Sequence, residues 1–264
     1  MTVTPAPPAV RQLAERLAVL GWVTDLLVAG SLATGDYVPG VSDLDLVALT
    51  DGPVGPARQQ TLADLHRELD QGAANGLDLG CVYVDEATLA DLGALHPTWT
   101  HGSLVQRGLS GVTRAELVRH GYAVLGRPPA AVLPAMTDDD VRSAARAELC
   151  GYWARAASKP LWWLSPVIAD LGLTSMARGR HALSTGRLLT KTEAIDQAHA
   201  PKWLKDQLRA RRQGRPVTSP RLLTALIAWH DARRTTTDAR RTTTDARRTT
   251  TRARRGARTD PDLR

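Results

Sequence analysis

Apolar positions along the first half of this chain alternate between two rhythms. Val10, Leu13, Leu17 and Leu20 recur at helical spacing, and Gly21 then stops the helix. Asp25 to Ala29 (DLLVA) is a short apolar run ending at Gly-Ser and reads as a buried strand. After the turn-rich stretch TGDYVPGVS, Asp43 to Leu49 (DLDLVAL) forms a second strand. Gly and Pro make 51–56 a loop, and Leu62, Leu65 and Leu69 then share one face of a helix over 57–71. Leu77 to Val84 (LDLGCVYV) is a third strand. Helix, strand, strand, helix, strand is an α/β or α+β order.

Further along, the pattern predicts a helix at 86–95, a strand near 102–107, a helix at 113–122 and a connector in GRPPAAVLPA. Thr137 followed by three Asp is a capping box with an acidic first turn. From there to about 230 the spacing is helical, broken at Pro160, Pro166, Gly186, Pro201 and Pro216. The expected fold is α+β. Residues 1–135 form a domain with a mixed sheet flanked by helices, and residues 136–230 form an all-helical bundle. Trp162 and Trp163 fall in a core-like run, and neighbours in sequence cannot both face one side of a helix.

The sequence DARRTTT occurs three times, at 231–237, 238–244 and 245–251. A period of seven suits a coiled coil, but one Ala per repeat offers no apolar seam, and consecutive Thr disfavour helix. Residues 231–264 are therefore expected to be a disordered tail.

Composition changes this picture in one respect. The chain has 264 residues, 43% of them hydrophobic and 23% charged, which suits a globular protein with an ample core. Its net charge of +7 invites a nucleic-acid reading. Residues 231–264 hold eleven Arg against five Asp, however, so the body is nearly neutral. Contact with nucleic acid is expected only weakly, through the tail. Two cysteines make no disulfide framework. No signal-like start and no run of 18 apolar residues is seen, so a cytoplasmic monomer off the membrane is expected.

The chemistry concentrates in 25–49. A strand ends in Gly30-Ser31, and twelve residues beyond Ser31 comes Asp43, then Asp45, opening the next strand. A strand has a period of two, so both carboxylates project to one face while Leu44 and Leu46 enter the core. Two adjacent carboxylates repel unless a cation lies between them, and Mg²⁺ prefers one or two carboxylates with water and substrate phosphates. Gly30 permits close backbone approach, and the turn after it offers N–H groups and the Ser31 hydroxyl to phosphate oxygens. Asp78, inside the third apolar run, is a third acid that a neighbouring strand could bring to Asp43 and Asp45.

The order strand, Gly-Ser, Asp-x-Asp, later lone acid resembles the polymerase-β-like nucleotidyltransferase superfamily. The wording GSLATG…SDLDLVAL is similar to its aminoglycoside-modifying branch. HGYAVLGRPPAAVLPAMTDDDV and ARGRHALSTGRLLTKTEAI resemble the C-terminal helical domain of streptomycin and spectinomycin adenylyltransferases. The resemblance spans about residues 10–230 and is weak over 85–115. It implies that Asp43 and Asp45 bind Mg²⁺, that Gly30, Ser31 and Ser42 hold the triphosphate of ATP, and that Asp78 joins the metal site as catalytic base. The family commonly has Glu at that last position, one methylene longer. Arg178 and Lys191 match basic positions that contact ATP phosphates. Trp99 corresponds to an aromatic that packs on the drug, and Asp170 lies near the acid that holds it. The implied reaction moves AMP from ATP to a hydroxyl of an aminoglycoside-type small molecule. Two alternatives stay open: a protein or RNA acceptor, and a silent homologue that binds nucleic acid through its Arg tail.

Overall fold

A computed structural model describes residues 5–256, with side chains through Arg241. Six strands form one sheet: β1 (Val23–Val28), β2 (Leu44–Thr50), β3 (Leu79–Asp85), β4 (Leu95–Thr100), β5 (Ser103–Gly108) and β6 (Tyr122–Leu125). The spatial order is β5-β4-β3-β2-β1-β6. Only β2 and β3 run parallel, joined through a helix, and the other neighbours are antiparallel, so the sheet is mixed.

Helices cover both faces. α1 (Pro8–Val19) lies on one face; α2 (Gly30–Thr34) is a single short turn between β1 and β2; α3 (Pro56–Gln71) crosses from β2 to β3. Leu13, Leu17, Leu62 and Leu69 meet Leu44, Leu46 and Cys81 there. On the other face Leu27, Val47, Leu49 and Val84 pack against Leu117 of α4 (Gly111–His120) and Leu133, which follows α5 (Pro129–Val132). Alternation along β2 therefore sends Leu44 and Leu46 one way and Val47 and Leu49 the other.

The remainder is helical: α6 (Asp138–Glu148), α7 (Ala154–Ala157), α8 (Pro166–Thr185), α9 (Lys191–Gln197), α10 (Lys202–Arg212) and α11 (Arg221–Gly256). Thr137 caps α6 in the expected capping box with Asp140. A core of Leu149, Trp153, Trp163, Leu173, Met176, Ile195 and Leu204 holds these helices together. Trp163 is 1% exposed and Trp162 46%, as adjacency on a helical turn requires. Ala115 of α4 packs on Val141, Ala145 and Ala182, which joins the helical half to the sheet.

Three expectations are corrected. The predicted helix at 86–95 is only a 3-10 turn, Glu86–Thr88, and β4 follows. Pro97 argues against a strand there, but it lies outside the short stretch, Thr98 and Trp99, where β4 pairs with β3. The helix expected at 113–122 ends at His120, and Tyr122 instead opens β6, a four-residue run too short to carry a periodic signal.

The tail is the third correction. Residues predicted to be disordered from 231 continue α11, with Ala232, Thr235, Thr236 and Ala239 buried. The seam is built of small side chains instead of large ones. Its hydroxyls are satisfied: Thr236 Oγ1 donates to the Ala232 carbonyl at 2.8 Å, and Thr235 Oγ1 accepts from Arg180 at 2.6 Å. The buried Asp231 carboxylate pairs with Arg180 at 2.7 Å. Side chains of the third repeat, and residues 257–264, lie outside the described residues. No described helix is long and apolar enough to cross a membrane.

Candidate active site

The site begins where β1 ends. Ala29 N–H donates to the Asp45 carbonyl at 2.9 Å, which pins the end of β1 to the start of β2. The chain then turns at Gly30 with φ +59°. A Cβ on Gly30 would stand 2.0 Å from Asp45 Oδ2, so only glycine lets the carboxylate lie against the backbone. Ser31 is buried, and its Oγ has no partner within the protein. A buried hydroxyl without a partner is costly and marks a place for a ligand oxygen.

Asp43 and Asp45 share the same edge of the sheet, one before and one within β2. Lys191, the first residue of α9, places its Nζ 3.7 Å from Asp43 Oδ2. Asp45 keeps an open path to solvent, yet the surrounding protein strips enough water from it to push its pKa up to about 6. Lys191 opposes that rise, Asp43 and Glu116 add to it, and Arg178 opposes it. Arg178 of α8 pairs with the buried Glu116 of α4 and donates from Nε to the Leu189 carbonyl at 2.9 Å. Asp43, Asp45, Glu116, Arg178 and Lys191 thus form one field of three acids and two bases, with Gly30 and Ser31 at its margin.

Among the described residues no group of three or more His, Cys, Asp or Glu forms a metal cage by itself. Two repelling carboxylates beside an unsatisfied hydroxyl suit a hard cation that takes its other oxygens from water and phosphate. Ser42 is buried on the turn before Asp43. Its Oγ accepts from Val38 N–H at 2.9 Å and from Arg212 Nη1 at 2.7 Å.

Asp78 is not the buried strand acid that the apolar run predicts. It precedes β3, its side chain is 44% exposed, and His101 Nδ1 lies 3.4 Å from its carboxylate. Its carbonyl accepts from Leu44 N–H at 2.8 Å, so its backbone is fixed beside the aspartate pair while the carboxylate does not join a three-acid cluster. His101 reaches it because His101 and Gly102 form the tight β4–β5 turn, both with positive φ.

Two expected substrate residues lie elsewhere. Trp99 pairs with Cys81 in the sheet and is 1% exposed. Its ring faces α3, where it stacks on His66 at 5.0 Å and its Nε1 donates to Asp70 at 3.2 Å. Asp170 is held by Arg211 through two bonds of 2.6 and 2.9 Å, and Arg211 also donates to Val217 and Ser219. That ion pair fastens a loop of the helical half.

Glu116, Asp36 and Arg212 are site neighbours that the sequence pattern did not single out. Each is an ordinary charged residue in a helix or turn, and only the meeting of the two halves gives it a partner. Beside Asp45 the sheet also floors a cavity of about 210 Å³, lined by Gly80, Thr98, Thr100, Arg107 and Ser110.

Residues 10–83 match the family model of the nucleotidyltransferase domain, a stretch that includes Gly30, Ser31, Asp43, Asp45 and Asp78. No curated protein matches the chain in sequence. Among solved structures the fold is similar to that of spectinomycin adenyltransferase AAD(9) from Enterococcus faecialis, crystallised with ATP and spectinomycin. The TM-score is 0.67 at 13% identity, over 87% of this chain and 99% of that one. The similarity at that identity is one of fold.

Proposed function

We propose that the nucleotidyltransferase domain carried by this chain moves AMP from ATP to a hydroxyl of an aminoglycoside-type small molecule, in the cytoplasm, as an antibiotic-modifying enzyme. The observation that carries the reading is the meeting of Asp43 and Asp45 with Lys191 and Arg178 beside Gly30 and the unpartnered Ser31 hydroxyl.

In this reading Gly30, Ser31 and Ser42 hold the triphosphate, and Asp43 and Asp45 hold Mg²⁺. A divalent cation bound there supplies charge that offsets the negative charge gathering on the leaving pyrophosphate. Lys191 and Arg178 reach in from the helical half and neutralise phosphate oxygens. The acceptor oxygen attacks the α-phosphorus as the bond to the β-phosphate oxygen breaks, and pyrophosphate departs. Asp78, with its backbone fixed beside the pair and its carboxylate open to solvent, accepts the proton from the acceptor hydroxyl. ATP and spectinomycin, the two ligands crystallised with AAD(9), support the choice of nucleotide and acceptor class.

The test is pyrophosphate release from ATP and Mg²⁺ with a panel that includes spectinomycin and streptomycin, using Asp43→Asn as control. Release with a drug and its loss in the variant is the expected result. No release with any drug, with wild type and variant alike, would remove the drug-modifying reading.

A further inference from the structure

The turn between α2 and the aspartate pair, residues 35–43, is gripped from two sides by the helical half. At one end Lys191 faces Asp43, and its neighbour Thr192 donates from its backbone N–H to Asp36 Oδ2 at 3.1 Å, with its hydroxyl on the other carboxylate oxygen. At the other end stands Arg212, the last residue of α10. Its Nη1 donates to Ser42 Oγ at 2.7 Å, and its Nη2 donates to the Asp36 carboxylate at 3.1 Å and to the Asp36 carbonyl. The pair is nearly enclosed, with side chains 10% and 13% exposed. Gly214, just beyond, lies so near that a Cβ there would meet Val41 of the same turn at 3.4 Å.

One guanidinium therefore ties three acceptors at two points of a single turn, a geometry for which its planar fork is suited and an ammonium is not. The two tied residues bracket the segment that delivers Asp43. Ser42 is also the residue that precedes the aspartate pair, so its hydroxyl and the position of Asp43 are set together.

We infer that Arg212 is a positioning residue for the nucleotide, which acts through Asp36 and Ser42 to hold the turn that presents Asp43 and so couples docking of the helical half to nucleotide binding. This rests on the ATP and Mg²⁺ reading above. Removing the guanidinium leaves a mostly enclosed Asp36 carboxylate without its cation and frees Ser42, so the turn keeps only the Thr192 and Lys191 contacts and is held less firmly.

The experiment compares ATP·Mg²⁺ affinity by titration calorimetry in full-length wild type, Arg212→Gln, Arg212→Lys and Asp36→Asn/Arg212→Gln. Amide hydrogen exchange over 35–43 is followed in parallel. Arg212→Gln is expected to weaken ATP·Mg²⁺ at least tenfold and to speed exchange over 35–43. Arg212→Lys, which keeps one contact, recovers part of the affinity. The double variant is no weaker than Arg212→Gln alone, because both changes break one latch. Affinity within twofold of wild type in Arg212→Gln overturns the inference, even if the variant melts earlier, and so does tighter binding. If Arg212→Gln does not fold, wild-type affinity in Arg212→Lys overturns it equally. Wild type that binds no ATP·Mg²⁺ removes the nucleotide reading itself, and the latch falls with it.

Discussion

Replacing Gly30 by alanine places a methyl group where the Asp45 carboxylate now lies. Two costs are separable. The backbone cost follows from φ +59°, where an L side chain is disfavoured by about 1 kcal/mol. The steric cost follows from the 2.0 Å approach of the new Cβ to Asp45 Oδ2, with Asp45 Cγ at 2.8 Å and Cβ at 3.0 Å. The carboxylate must retreat by more than about 1 Å to restore van der Waals contact. Misplacement on that scale costs about 100-fold in a reaction that depends on alignment, or about 2.7 kcal/mol. Gly35 supplies the control: its φ is +75°, yet nothing lies within 4 Å of a Cβ built there. Gly35→Ala is thus expected to lose about 1 kcal/mol of stability and little else. Gly30→Ala is expected to lose similar stability and about 100-fold in ATP·Mg²⁺-dependent pyrophosphate release. Urea unfolding and the release assay, run on both variants, separate the terms. Equal activity in the two variants would refute the claim that Gly30 exists to seat Asp45.

Two further expectations concern stability. His66 is fully buried, and that burial pushes its pKa down to about 3, whereas the unfolded chain takes up the proton near 6.5. Below pH 6.5 the unfolded state gains a proton that the folded state refuses, so stability falls as pH falls. Between pH 7 and 5 the loss is about 2 kcal/mol, and His66→Gln should lose about that much less over the interval in urea unfolding. Equal losses would mean that His66 is protonated while folded. On α11, Asp231→Ala breaks the bond to Arg180 and should cost about 2 kcal/mol. Asp238→Ala, at the same place in the next repeat but with its side chain 60% exposed and 4.0 Å from Arg241, should stay within about 0.5 kcal/mol. Equal effects in thermal unfolding would return the first repeat to a tail without structure.

Much of the fold could be read from periodicity because local pattern and burial coincide in it. Alternation in DLDLVAL put Leu44 and Leu46 in the core and the two aspartates on the opposite side, and the structure keeps that arrangement. The Trp162–Trp163 pair resolved into one buried and one exposed ring for the same reason. Asp25 shows the limit of the method. It reads as the opening residue of a buried strand, but its carboxylate is fully enclosed and is held by the backbone and guanidinium of Arg127, 102 residues away. Nothing local announces that partner.

Trp99 and Asp170 illustrate the same limit at the site. The family resemblance implied substrate contacts, but strand pairing turned Trp99 onto His66, and Arg211 claimed Asp170. The tail erred in the other direction. Its composition lacks large apolar side chains, yet Ala and Thr with self-satisfied hydroxyls can pack closely when a neighbouring helix supplies Arg180. The sequence alone determined the α+β class, the Gly-Ser turn and the spacing of Asp43 and Asp45, because these depend on backbone freedom and side-chain period. Tertiary structure alone decided that Glu116 and Arg212 join Arg178 and Lys191 at those aspartates and their turn. Charged groups from distant segments acquire partners only when packing removes water and brings the two halves together.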